Sequence, residues 1–373
     1  MSFNYRDRSS LTHFQRDGLV ALANLADGHV RRAPVASERP IIQSLQEIYN
    51  LSLGYDVLDL EEKFVASYLG LSRQKIPHDA TPLVFFSASE AIAVAARVMA
   101  EHQESCAVLE PTFDIIPMLL KSTGVPVAPF EEVLLHDPEE LAKRVSRCSA
   151  IFVTLPNNPT GLVLDEDAFR RLCDMCARTK KSLIIDACFR LYAPPAYFNY
   201  YQILTDSGID WMVIEDTGKI WAANGLKAGI LTCSDKLAAA GSRAFHDLVL
   251  SVSPFILTLL WQLSERGGTR AIHEMKDLIE NNRAIVHSLL SDSAVFVTDK
   301  DKTQLPLENV YYDTGRFPDQ AALIDLLRDR GLAVLGSEGF YWSSGAHRPF
   351  IRLALSRDEE TVRQGARVLA TVQ

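Results

Sequence analysis

The stretch Val213-Ile214-Glu215-Asp216-Thr217-Gly218-Lys219 decides how this chain is read. Together with Trp211 and Met212 it begins as an apolar run of strand length, and it gives out at two carboxylates, a turn and a lysine. Upstream, Ser182-Leu183-Ile184-Ile185 runs into Asp186, and Ala150-Ile151-Phe152-Val153-Thr154 runs towards Asn158-Pro159-Thr160-Gly161. Ligands of α/β sheets collect at the carboxyl ends of strands, which is where Asn158, Asp186 and Lys219 all fall.

Working outward, apolar runs alternate with longer helical patterns: Leu83 to Phe86 before Ala88 to Glu101, Ala107 to Leu109 before Ile115 to Ser122, and Ala150 to Thr154 before Glu166 to Thr179. Fully apolar strands between helices predict an α/β fold, its mixed, mostly parallel sheet covered on both faces. A long helical region from Pro254 to Ser291 leads into a smaller α+β layer, with strands at Ala294 to Val297, Val310 to Tyr312, Leu332 to Leu335 and Phe350 to Leu355 and a helix from Ala321 to Arg330. The expected organisation is an N-terminal arm over residues 1–45 that contributes to the active site, a large domain over 46–255, and a small C-terminal domain with its linking helix over 256–373.

Composition narrows the function. The 373 residues carry a net charge of −9 with no basic block, so neither nucleic acid nor an anionic membrane surface is an expected partner. No apolar run reaches the ~20 residues that span a bilayer, and the polar start after Met1 has no signal core, so a cytoplasmic location is expected. The six cysteines are too sparse for a disulfide framework. Cys173 and Cys176 form a C-x-x-C inside a helical pattern with no second pair, which reads as packing, and no metal site is expected.

The order of polar landmarks suits pyridoxal 5′-phosphate (PLP). That cofactor needs a lysine for its Schiff base, a carboxylate at its ring nitrogen and an anion cradle for its phosphate. Lys219, Asp186 and the Ser87-Ala88-Ser89 segment at a strand-to-helix junction answer those needs, with Ser87 and Ser89 at the cradle. Lys227 adds a cationic phosphate contact, Thr217 a further cofactor contact, Asn158 an amide for the phenolic oxygen, and Phe113 a ring to stack on the cofactor. Arg352, inside the apolar run Phe350-Ile351-Arg352-Leu353-Ala354-Leu355, is expected to bind a substrate carboxylate.

On these residues the chain resembles the fold-type I, class I/II aminotransferases from about residue 40 onward. The resemblance implies a seven-stranded-type sheet and a homodimer with its active site at the subunit interface. Three positions depart from the usual pattern: Phe189 stands where a tyrosine donates to the cofactor's phenolic oxygen, Asp216 where a serine or threonine helps bind phosphate, and Lys227 where an arginine is usual. Leu11-Thr12, Ala26-Asp27-Gly28-His29, Pro111-Thr112-Phe113-Asp114, Asn157 to Gly161, Glu215-Asp216-Thr217-Gly218-Lys219-Ile220-Trp221 and Leu226-Lys227-Ala228-Gly229 resemble more closely the PLP- and dioxygen-dependent L-arginine oxidases and hydroxylases of the enduracididine- and indolmycin-pathway type.

That closer resemblance implies oxidation of free L-arginine by molecular oxygen to 4-hydroxy-2-oxoarginine and 2-oxoarginine, with ammonia and hydrogen peroxide released. It casts Lys219, His29 and Thr12 as catalytic, and Asp216 and Gln15 beside Arg352 as substrate-binding. Gln15 stands where the family commonly has glutamate, so it accepts a hydrogen bond without supplying charge. A 4,5-dehydro product, an ordinary aminotransferase of, for example, the histidinol-phosphate type, and a catalytically silent binding module are the alternative readings.

Overall fold

The computed structural model describes residues 10–78, 80–299, 303–343 and 348–372; the polar stretch up to Ser9 lies outside them. In chain order the strands are β1 (Ala23–Asn24), β2 (Pro82–Phe85), β3 (Cys106–Glu110), β4 (Val127–Glu131), β5 (Ala150–Thr154), β6 (Ser182–Asp186), β7 (Trp211–Asp216), β8 (Gly229–Cys233), β9 (Phe296–Thr298), β10 (Leu307–Tyr312), β11 (Leu332–Ala333), β12 (Leu335–Gly336) and β13 (Phe350–Ala354). A seven-stranded sheet runs β2-β8-β7-β6-β5-β3-β4. It is parallel from β7 to β4, while β8 is antiparallel to both of its neighbours.

The central strands β5, β6, β7 and β8 are buried along their whole length, as their unbroken apolar runs require. Register carries the polar residues to one edge: Thr154 pairs with Asp186, and Asp186 with Ile214 of β7, one turn short of Lys219. The helix Ala88–Glu101 starts beside them with a capping box, Ser87 Oγ accepting from Glu90 N–H and the Glu90 carboxylate accepting from Phe86 N–H at 2.9 Å. Gly229 is obligatory there, because a Cβ on it would lie 2.4 Å from the Ser87 carbonyl carbon and 2.7 Å from Ala88 N. That close approach brings β8 against the start of the helix.

A second, four-stranded antiparallel sheet, β12-β13-β10-β9, and the two-stranded parallel pair β1-β11 lie elsewhere in the fold. The segment after β1 is stitched to the C-terminal strands: Leu25 N donates to Ala333 O, Ala354 N to Leu25 O, and Arg31 N to Ser356 O. Among the described residues no helix is long and apolar enough to cross a membrane, and no group of three or more side chains is placed to hold a metal ion. Cys173 and Cys176 are buried on the inner face of the helix Glu166–Thr179, free like the other cysteines.

Candidate active site

A cavity of about 250 Å³ opens at the carboxyl ends of β5, β6 and β7. Thr12, Gln15, His29, Ser87, Ser89, Phe113, Asn158, Asp186, Asp216, Lys219 and Lys227 all line it, joined by Gly28, Ile92, Cys188 and Phe189. Sequence positions from 12 to 227 thus meet around one space.

Lys219 sits in a short 3-10 turn directly after β7, and its backbone carbonyl accepts from the Tyr192 hydroxyl. Its Nζ lies 5.9 Å from the centre of the Phe189 ring and 3.5 Å from His29 Nε2. His29 Nε2 also meets Lys227 Nζ at 2.7 Å, while His29 Nδ1 meets Asp27 Oδ1 at 2.7 Å. An ammonium has only donors, so Nε2 is the accepting nitrogen and Nδ1 carries the proton donated to Asp27. The charge of Lys219, then burial, push the imidazole below its ordinary value and keep it neutral. Burial alone would raise the Asp27 carboxyl, but its bonds to His29 and to Arg31 Nε at 2.7 Å hold it well below the carboxylate range.

Asp186 is buried at the end of β6, one oxygen accepting from Cys188 N–H at 3.0 Å. Burial pushes its carboxyl up, against the pull of Cys188 and Lys219. Such a carboxylate is stabilised by a positive nitrogen placed against it. Asn158 is held in a caged turn: Gly161, at φ +80°, has no room for a side chain against Thr303, and Asn157 Nδ2 donates to Pro111 O at 3.0 Å and to Glu132. The Asn158 amide oxygen is buried with no protein partner.

Asp216 has one carboxylate oxygen on Ala88 N–H at 3.1 Å and the other on Gly218 N–H. Burial would raise it, but Lys219 and Lys227 above all bring it down, so it is a buried anion facing two lysines. Lys227, expected at the phosphate, is pushed down by burial and bonds to His29.

Two expected residues are not brought into the lining. The Thr217 hydroxyl is used in full on Ala228, donating to its carbonyl at 3.2 Å and accepting from its N–H at 2.9 Å. It clips the turn to the segment before β8, so its hydroxyl proton is directed away from the cavity. Arg352 is wholly buried behind Gly28, with Nη2 on Ala26 O at 2.7 Å and with Nε and Nη1 unpartnered. A Cβ on Gly28 would stand 3.7 Å from Nη1, so the glycine is the thin wall between guanidinium and cavity.

Sequence reading missed the Asp27–His29 pair, the Asp114 carboxylate that accepts from Leu11 N–H at 2.7 Å and docks the Thr12 helix, and the Arg357 guanidinium behind the His29 turn. Asp27 and Asp114 lay inside quoted motifs, so the signal was present but had no partner assigned to it. Nothing local marks Arg357.

The residues fit PLP. Lys219 lines the cavity, Asp186 is a buried carboxylate that gains from a positive partner, Asn158 lines the same space, and Ser87 and Ser89 line it at the start of the helix Ala88–Glu101.

Comparison with known proteins agrees. The sequence model of the family described as aminotransferase class I and II matches residues 23–369. Histidinol-phosphate aminotransferase 1 of Pasteurella multocida is 21% identical over 72% of this chain and 72% of its own length. The solved structure of MppP soaked with the product 2-ketoarginine superposes with a TM-score of 0.86 at 30% identity, covering 93% of this chain and 98% of that one. Aspartate aminotransferase from Thermus thermophilus with maleate, at 17% identity, TM-score 0.78 and full coverage of both chains, speaks for the fold alone. The chain belongs to the aminotransferase class I and II family, as a PLP-dependent enzyme of fold type I.

Proposed function

We propose that this enzyme oxidises free L-arginine with dioxygen, giving 2-oxoarginine and 4-hydroxy-2-oxoarginine with release of ammonia and hydrogen peroxide, and that it works as a homodimer. The observation that carries the reading is the likeness to MppP over 93% of the chain, since the product soaked into that protein is 2-ketoarginine. Converting arginine to its keto acid removes two electrons, which one dioxygen takes up as peroxide, and water releases the nitrogen as ammonia; the 4-hydroxy product removes two more, taken up by a second dioxygen as peroxide, with a second water supplying the hydroxyl oxygen.

Bound PLP supplies an electron sink for the bond to the substrate α-proton. The protein's own groups do the rest. Lys219 is the base for that proton, and His29, fixed on Asp27, holds Nε2 3.5 Å from Lys219 Nζ as a neutral acceptor beside it. Asp186 keeps a negative charge at the ring nitrogen, and Asn158 donates to the phenolic oxygen. Phe189 offers no hydroxyl beside it, so that oxygen has one donor fewer than a tyrosine there would give. Arg352, buried behind Gly28 with Nε and Nη1 unpartnered, is the cation for the α-carboxylate, which would reach it past that glycine. Asp216 and Gln15 line the same cavity and supply a charge and an amide oxygen for the guanidinium, while Thr12 reaches in from the helix Leu11–Asp17.

The second reading, an ordinary aminotransferase, is favoured by the names of the curated relatives, several of them histidinol-phosphate aminotransferases. The deciding experiment is oxygen uptake by PLP-loaded protein given L-arginine and no keto acid, with products read by mass spectrometry. Uptake with peroxide formation is expected, abolished in Lys219→Ala. No uptake, with amino transfer once a keto acid is added, would return the chain to the transaminases.

A further inference from the structure

Arg357 is a buried arginine that no carboxylate claims. Its guanidinium is 1% exposed and is bonded to backbone carbonyls: Nε to Asn24 O at 2.7 Å, Nη1 to His29 O at 2.6 Å and Ser356 O at 3.1 Å, and Nη2 to Asp27 O. Three of those four carbonyls belong to one turn. The same turn is wound from inside by its own side chains, Asn24 Oδ1 accepting from Ala26 N at 3.1 Å and Asp27 Oδ1 from His29 N at 3.0 Å. Burying a guanidinium without a counter-charge is costly, and burial pushes this one down to about 10 despite the charge of Asp27. Only a planar fork of five donors spans carbonyls so arranged; a lysine ammonium carries the charge but cannot reach them together.

We propose that Arg357 is a positioning residue for His29: it fixes the Asn24–His29 turn so that the imidazole keeps Nδ1 on Asp27 and presents Nε2 to Lys219 and Lys227. This rests on reading His29 as a working group of the active site. The charged groups facing the imidazole are Asp27 with Arg31 on its second oxygen, Lys219 and Asp216 from the end of β7, and Lys227 from the segment before β8. Without the clamp the ring leaves Asp27 and the lysine side of the site, Lys227 included, and its titration returns towards that of free histidine.

The test is Arg357→Lys, which keeps the charge and loses the fork. Imidazole titration is followed by NMR in histidine-labelled holoenzyme, with His29→Asn assigning the signal among the nine histidines. The expected result is a rise of about half a pH unit or more in the His29 midpoint, with kcat on arginine down about tenfold and KM within about threefold. A variant that loses thermal stability yet leaves the His29 titration where it was overturns the proposal. The NMR readout needs no substrate, so it fails or succeeds separately from the assignment of the reaction. Should Arg357→Lys not fold, a crystal structure of the holoenzyme decides: Arg357 on the Asn24, Asp27 and His29 carbonyls with His29 on Asp27 is expected, and an intact clamp with the imidazole turned away from Asp27 overturns it.

Discussion

Asp216 holds two backbone N–H groups, Ala88 and Gly218, and still lines the cavity amid Lys219, Lys227 and His29. Neutralising it by Asp216→Asn keeps an acceptor oxygen but removes the charge owed to a guanidinium. The KM for arginine is expected to rise roughly ten- to hundredfold, the worth of a charge-assisted hydrogen bond, and far less for the neutral isostere citrulline; equal effects on both would reject the guanidinium role. At this scale Lys219, Asp186 and Asn158 were legible because each lies at or within five residues of the end of an apolar run, where a polar group faces a ligand or solvent. The hold of Ala228 on the Thr217 hydroxyl was not legible, because it depends on the chain returning past the turn eleven residues later. Arg357 was illegible because three of its four partners lie 328 to 333 residues away and all are carbonyls, which every residue has.

The helix Leu11–Asp17 brings Thr12 and Gln15 to the cavity and is tied by Leu11 N–H to Asp114 Oδ2 at 2.7 Å. Burial pushes the Asp114 carboxyl up from 3.8 to about 6, so the folded state binds its proton more tightly than the unfolded chain does. Its stabilising contribution is therefore full below about pH 4 and is lost as pH rises through about 6, a difference of about 3 kcal/mol. Urea unfolding between pH 4 and 7 should show the parent losing that much more stability than Asp114→Asn; parallel curves would sink the assignment. The long alternating elements were legible: the helices Ala88–Glu101, Ile115–Ser122 and Glu166–Thr179 and the strand β5 lie where periodicity put them. Strand β4 escaped notice because it is a half-exposed edge strand containing Pro129. The run Leu332 to Leu335, expected as one strand, divides into β11 and β12 in two different sheets, and the expected helix over 254–291 passes through a π turn at Leu263–Gly267 before Gly268.

Large apolar side chains stay exposed on the surface of the molecule: Tyr49, Leu53 and Leu58 near the helices Leu45–Ser52 and Val57–Gly70, and Leu248 and Leu250 just ahead of the helix Pro254–Gln262 that packs against both, with Leu250 95% exposed. Apolar side chains left exposed around one set of packed helices are candidates for the interface of the proposed homodimer. Sedimentation at micromolar concentration is expected to show a dimer, shifted towards monomer by Leu250→Glu; an unshifted dimer would place the contact elsewhere. The sheet itself was readable from pattern alone, since strands buried on both faces must be apolar throughout. The stitching of residues 23–31 to β11, β13 and Arg357 was not, because no periodicity encodes a contact between the two ends of a long chain. That stitching sets an order on biosynthesis. The ribosome releases Lys219 and the whole large sheet while the carbonyl of His29 still awaits a guanidinium made 328 residues later. A nascent chain can thus shape its lysine pocket early, yet its histidine turn locks only after Arg357 has been made.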